Sequence, residues 1–314
     1  MIISSKGIKI IGSGAGLPIS SISNHELWPE TDEWVKRTLG IFERRVLSDG
    51  ESLLDLCVQA ANEALEDAGI LGSDLDAIII ATSTPDLINP SMAVLVHDAL
   101  KGKPECMSLD VQAVCAGFIH ALAITASLSS ASTGKYYLLI GADQFSKITN
   151  FKSRDCIFFG DAASAMVIES TDQLNRFSVE VFSDGSGWKS FFTPRSEGTF
   201  EMNSKEVSKN ASSKLPDSIK KVCNYLEIQV SDISQFFTHQ PSKGVLDKLL
   251  HTLEVPENKA FRNIEDRGNT AAATIPLVFY ESQQKDKLQA GEFVCFSAIG
   301  SGWVWGSAIL EWAK

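Results

Sequence analysis

The chain has 314 residues, 44% of them hydrophobic and 21% charged, with 28 lysines and arginines against 39 aspartates and glutamates for a formal charge of −11. That composition builds a globular core large enough for two packed halves and excludes a disordered chain, while the acidity argues against a nucleic-acid binder, which carries a basic face. The six cysteines contain no CxxC pair and the five histidines no HxxxH or HExxH spacing, so neither a disulfide framework nor a metal site is readable.

The opening "MIISSKGIKIIGSGAGLP" is interrupted by Lys6 and Lys9, which is unlike a secretory signal, and no run reaches the roughly 18 apolar residues of a membrane span. The expected location is the cytoplasm. "IKIIGSG" reads as a first strand. The "GSGAG" at 12–16 reads as a tight turn after it, because Leu17 breaks the GxGxxG fingerprint of a nucleotide loop. "SLLDLCVQAANEALEDAGI" follows as an amphipathic helix, and "LDAIIIATSTP" and "MSLDVQAV" as strands.

Cys115 comes next, between the alternation of Leu109, Val111 and Ala113 and the stretch "AGFIHALAITASLSS", which is apolar around most of a helix. A thiol there lies at a helix N-terminus, where the macrodipole favours the thiolate and a backbone N–H could hold an oxyanion. An inert core cysteine fits the same pattern. His120, five residues on, is expected to bond internally. "KYYLLIGAD" and "SAMVIES" are further strands, and "FFGDAASA" around Asp161 reads as structural close packing.

A polar segment at 185–214 shows little periodicity and reads as an excursion between halves. Beyond it the chain echoes itself. "SDISQFFTHQPSKG" at 231–244 matches "SDLDAIIIATSTPD" at 73–86, and "EFVCFSAIGSG" resembles "KYYLLIGAD" in running a late strand into a small-residue turn. The expected division is 1–172 and 173–314, two related α/β halves. His239 ends its strand, where α/β ligands bind, though taken singly a satisfied structural histidine is the safer reading. Asn269, after Gly268 and before a small-residue helix, can be a helix cap or a functional amide. Together Cys, His and Asn supply a nucleophile and two neutral donors able to polarise a thioester carbonyl.

The motifs "TDEWVKRTLGIFERR", "AVCAGF", "FFGDAASAMVIE", "THQPS", "RGNTAAATIP" and "GSGWVWGSAIL" occur in the order found in 3-oxoacyl-acyl-carrier-protein synthase III, of the thiolase-fold superfamily, and the chain resembles that family over nearly its whole length. The resemblance implies a duplicated five-layer αβαβα fold. It implies Cys115 as acyl acceptor, and His239 and Asn269 as donors to the carbonyl of a malonyl extender during decarboxylative condensation. The backbone N–H groups of Cys115 and Ser301 would form the oxyanion hole. Trp34 would stack on the coenzyme A adenine with Arg154 beside it. Acyl-coenzyme A is then a substrate, malonyl-acyl carrier protein the second substrate, a homodimer the assembly, and no cofactor is called for.

Several positions depart from the family pattern. "HQAN" reads "HQPS", placing Ser242 where relatives hold the pantetheine arm with asparagine, and Gly244 beside Lys243 replaces an arginine used for carrier docking. "GGG" reads "GSG" at Ser301, and Asn89 occupies the position of a phenylalanine that bounds the acyl pocket from the neighbouring subunit, so a different starter is expected. "RTLGI" replaces "RTGI", and the run from Arg154 to Asp161 is one residue short. These departures motivate two alternatives: an acyltransferase of the same fold that uses His239 as a general base toward an amine or hydroxyl, and a noncatalytic partner subunit. A papain-like hydrolase lacks the surrounding motifs.

Overall fold

The computed structural model describes residues 1–172, 175–195 and 198–313. The strands of its two large sheets are, in chain order, β1 (Ile2–Lys6), β2 (Ile8–Gly16), β3 (Ala77–Ala81), β4 (Met107–Val111), β5 (Tyr136–Asp143), β6 (Ala162–Ser170), β7 (Arg176–Ser183), β8 (Ile233–Thr238), β9 (Phe293–Gly300) and β10 (Val304–Glu311). The helices that matter for the site are α1 (Asp32–Thr38), α2 (Leu53–Ala68), α3 (Met92–Ala99), α4 (Gly117–Ser130), α5 (Ser204–Tyr225), α6 (Lys243–Leu253) and α7 (Thr274–Lys285).

One sheet has the order β2-β6-β5-β3-β4 and the other β1-β7-β10-β9-β8. Their shared run, β2-β6-β5-β3 in one and β7-β10-β9-β8 in the other, is an early strand of the half, its last strand, the strand before that, then the strand that opens the parallel part. Where the first sheet continues into β4, the second has only the parallel bridge Phe236 to Ala260. The division expected between 172 and 173 falls beside residues 173 and 174, which lie outside the described residues. One strand crosses it: β1 pairs antiparallel with β7 and so sits in the second sheet, not the first.

Side-chain parity explains the layers. Along β3, Ile79 faces a core shared with α4 and α7, whereas Ile78 and Ile80 face a second core under α2 and α3. A strand buried on both faces needs a continuous apolar run, which "AIIIA" supplies. Helices α4 and α7 therefore lie between the sheets, and α5 and α6 cover the far side of the second sheet over a third core built on Leu215, Ile219, Leu249 and Cys295. The result is five layers.

Two sequence expectations change. The "GSGAG" segment is not a turn but the second half of β2, pressed against α2. A Cβ on Gly16 would come within 2.0 Å of the Leu56 carbonyl oxygen, and Gly12 and Gly14 stand equally close to the backbones at Ala64 and Ala60. The glycines are there to let a helix touch a strand. The polar segment 185–214, of which 196 and 197 lie outside the described residues, contains a short ladder of Phe191–Phe192 with Glu201–Met202, and from Ser204 onward it is helix. Its apolar stripe, Ala211, Leu215, Ile219 and Val222, emerges only past residue 210, and the serines and lysines of the exposed face hide it.

Asp161 is structural, as its surroundings suggested: its buried carboxylate accepts the Leu47 and Ser146 N–H groups at 2.9 Å each and the Ser146 hydroxyl. His120 bonds the Ala116 carbonyl through Nδ1 at 3.0 Å.

Candidate active site

Cys115 occupies a single 3-10 turn, Val114–Ala116, that joins β4 to α4. Val114 has φ of 46°, a left-handed conformation that a β-branched residue adopts only under constraint, so the turn is held by its surroundings. The end of β9 provides that constraint. At Gly300 an added Cβ would sit 2.7 Å from the Ala113 carbonyl oxygen and 3.1 Å from the Cys115 nitrogen, so only glycine lets the end of β9 approach the backbone of the Cys115 turn so closely.

His239 lies just past the end of β8, its N–H donating to the Ser297 carbonyl at 2.8 Å, and is 2% exposed. Asn269 follows Gly268, whose φ is 64°, and both of its main-chain groups bond the segment before β6: its N–H reaches the Phe158 carbonyl at 3.0 Å, and its carbonyl receives the Gly160 N–H at 3.1 Å. Its side-chain oxygen accepts the Ala271 N–H at 2.9 Å. Because a main-chain N–H can only donate, the amide orientation is fixed, and the Asn269 NH2 is the end left to donate elsewhere.

These three side chains, from segments more than a hundred residues apart at their extremes, line one cavity of about 320 Å3, together with Phe159, Phe191 and Ser301. Trp34 on α1, Ser242 and Gly244 line it too. The Arg154 guanidinium lies over the Trp34 ring, 5.0 Å from its centroid. The Ser242 oxygen accepts the Val245 N–H at 3.3 Å as the cap of α6, which leaves its proton free to donate. Lys243 and Arg262 both pair with Asp247, the latter at 2.7 Å, so a single carboxylate is shared by two cations and the cluster beside Gly244 stays positively charged. Asn89 is exposed and outside this cavity, in a loop that also exposes Leu87 (46%) and Ile88 (80%).

Sequence reasoning missed Asp143. Fully buried at the end of β5, its carboxylate accepts the Ser83 N–H and hydroxyl at 2.9 Å each, the Thr84 hydroxyl at 2.8 Å and, from the other half, the Ala272 N–H at 3.1 Å. It therefore ties the loop after β3 to the segment that carries Asn269. The available signal was an acid closing the otherwise apolar run "YYLLIGA".

Electrostatics refine the expectation for the thiol. Burial, and then the nearby Asp143 carboxylate, push Cys115 well above the ordinary thiol range, opposed by its own backbone N–H. The α4 N-terminus acts in the same direction as that N–H, yet the resting sulfur is a thiol, not the poised thiolate that the helix position alone suggested. Burial brings His239 down to about 3, and its Nδ1 has no hydrogen-bond partner among the described residues. The imidazole is accordingly neutral at every physiological pH.

That depression has a stability signature. Between 6.5, the ordinary value, and about 3, the unfolded chain binds a proton at His239 that the folded chain refuses, so stability is lost as pH falls through that window. A His239→Gln protein lacks this linkage. Urea unfolding of the two proteins is expected to show their stability difference moving by about 2 kcal/mol in favour of the variant between pH 7.5 and pH 5. A constant difference would mean that the imidazole can be protonated in place.

Two family models match the chain: 3-oxoacyl-[acyl-carrier-protein] synthase III at residues 109–185 and the C-terminal part of the same family at 223–312. Among curated proteins, the chain is 36% identical to a beta-ketoacyl-[acyl-carrier-protein] synthase III of Rickettsia typhi, over 97% of this chain and 99% of that one. Among solved structures it is similar to the 3-oxoacyl-[acyl-carrier-protein] synthase III of Aquifex aeolicus, at 32% identity and a TM-score of 0.94, over 98% and 100% of the two chains. The Pseudomonas aeruginosa counterpart gives 30% and 0.92, over 98% and 99%.

Proposed function

The chain belongs to the 3-oxoacyl-[acyl-carrier-protein] synthase III family of thiolase-fold condensing acyltransferases, and from its site we propose how the reaction is divided among its residues. The observation that carries the reading is the convergence of Cys115, His239 and Asn269 on one cavity, with the Asn269 NH2 left free by the Ala271 bond.

In the first half-reaction the Cys115 sulfur attacks the thioester carbon of an acyl-coenzyme A. The oxyanion of the tetrahedral intermediate is held by the backbone N–H groups of Cys115 and Ser301, and its collapse breaks the bond to the coenzyme A sulfur. The Cys115 proton leaves with that sulfur, so coenzyme A departs as a thiol. The α4 N-terminus stabilises the charge that develops on Cys115 during the attack. Adenine stacks between Trp34 and Arg154, which part to admit it, and the Ser242 hydroxyl donates to the pantetheine arm.

In the second half-reaction a malonyl thioester on the carrier protein replaces coenzyme A. Its carboxylate leaves as carbon dioxide, and the electron pair of the broken bond passes into an enolate whose oxygen accepts hydrogen bonds from His239 and Asn269. Neutral donors suffice because decarboxylation, and not a base, generates the carbanion. The carbanion attacks the acyl carbon on Cys115, completing the new carbon–carbon bond, and expels the sulfur as a thiolate, which takes a proton from water to restore the resting thiol. The weak basicity of His239 supports this role over that of a general base toward an amine or hydroxyl, which works best with a pKa near the operating pH.

The exposed Leu87 and Ile88 support a homodimer in which the Asn89 loop approaches the partner's acyl-binding region. Among the described residues no helix is long and apolar enough to cross a membrane. Intact-protein mass spectrometry against a panel of acyl-coenzyme A starters tests the first half-reaction: one acyl mass on Cys115 is expected, and no addition with any starter contradicts it.

A further inference from the structure

Beside the Cys115 cavity lies a second groove of about 680 Å3, lined by Ile88, Val114, Phe145 and Ile148 and by Phe191 and Ser301, which the two spaces share. Cys115 borders one space and its neighbour Val114 the other. An acyl chain extending from the sulfur into the groove must therefore pass Phe191.

That ring is 6% exposed and packs against Phe145, Phe159 and Phe200 at centroid distances of 6.3, 6.0 and 5.6 Å. Its main chain is held from the turn between β9 and β10, because the Ser301 hydroxyl donates to the Phe191 carbonyl. The remaining attachments between the β9–β10 turn and this segment lie further back. Asp184 and Trp303 exchange main-chain bonds of 2.7 and 2.6 Å, and Gly187 lies against the Trp303 indole, where a Cβ would approach Nε1 to 2.0 Å. From the turn, the Ser301 side chain alone reaches residue 191 itself by a hydrogen bond among the described residues. A glycine at 301 keeps the backbone N–H but has no hydroxyl to make it.

We propose that Ser301 is a positioning residue for starter specificity: by tethering the Phe191 carbonyl it holds the Phe191 ring as a partition between the two spaces and limits the length of acyl group that Cys115 accepts. This rests on Cys115 being the acyl acceptor. A partition acts at the scale where specificity is most sensitive, since one methylene in an apolar pocket changes kcat/KM by about 10-fold or more. Movement of the ring by less than its own width is then enough to admit longer chains.

The test compares kcat/KM for Cys115 acylation across straight-chain starters from acetyl- to decanoyl-coenzyme A. Ser301→Ala and Ser301→Gly remove the hydroxyl and keep the N–H, and Ser301→Thr keeps both. The octanoyl-to-acetyl ratio is expected to rise about tenfold in the alanine and glycine proteins, mainly through a lower KM for the longer chain, and to stay at the wild-type value in the threonine protein. Phe191→Ala, which removes the ring, is expected to raise the ratio further. A mere loosening of the turn slows all starters together and leaves the ratio unchanged, and that result overturns the proposal. So does a threonine protein that melts like wild type yet behaves like alanine. If the wild-type chain takes no acyl group from any starter, the assignment of Cys115 fails as well, an outcome distinct from an unchanged ratio.

Discussion

His239→Ala and Asn269→Asp proteins are expected to take up an acyl group on Cys115 at near wild-type rates and then to release carbon dioxide from the malonyl thioester about 10²- to 10³-fold more slowly. Each substitution removes one donor from the enolate oxygen, an interaction that exists only while charge develops there, so kcat falls and substrate binding does not. Aspartate is the informative choice at 269. The Asn269 oxygen also accepts the Ala271 N–H, and alanine would leave that buried donor unpaired, at about 1–3 kcal/mol of stability. An aspartate keeps the acceptor, loses the NH2 and sets a carboxylate against the enolate, so its effect falls on the step in which that charge develops. The double variant is expected to be little slower than either single one, because the two donors serve one oxygen. Separate quantitation of acyl uptake and carbon dioxide release checks this. An equal loss in both steps would mean that the two residues only support the fold.

Replacing Cys115 by alanine is expected to abolish acyl uptake outright and to reduce turnover by about 10⁴-fold or more, the scale seen when a covalent nucleophile is deleted. Serine should do little better, since a hydroxyl is far less nucleophilic than a thiol and no strong base is available: His239 stays neutral and Asp143 is consumed by five donors. The unmodified thiol carries its own signature. With burial and Asp143 holding it high, alkylation of Cys115 by iodoacetamide should accelerate about tenfold per pH unit through neutrality, with no plateau below the ordinary thiol value of about 8.5. A plateau near pH 6 would show a resting thiolate and would contradict the reading of the buried sulfur.

How much of this was legible depends on whether the signal was local. Cys115 and His239 each stand where a strand gives way to a turn, and Asn269 stands between Gly268 and a small-residue helix; sequence displays both signals directly, and the order of the motifs linked the three before any coordinates did. Burial depth is not local. The helix start at Gly117 argued for a thiolate, but the desolvation that outweighs it comes from a cluster that distant segments of both halves build around Cys115, Phe145 and Phe159 from one and Phe191, Phe200 and Ala271 from the other. The same limit hid Asp143, whose five donors come from two distant segments, and the placement of β1, a short strand whose partners are 170 to 178 residues away in sequence. The glycines of "GSGAG" misled in another way: a flexible turn and a close-packed strand both need a missing side chain, and only the position of α2 decides between them. The Ser301 hydroxyl was visible as a departure from the family pattern, but its partner at Phe191 was not.

The most direct test is product stoichiometry with the full-length protein, an acyl-coenzyme A starter and a malonyl-carrier thioester. One carbon dioxide released for each 3-oxoacyl thioester formed, with both lost in Cys115→Ala, is the expected result. Acyl uptake on Cys115 followed by transfer to an amine or hydroxyl, with no carbon dioxide evolved, would contradict it.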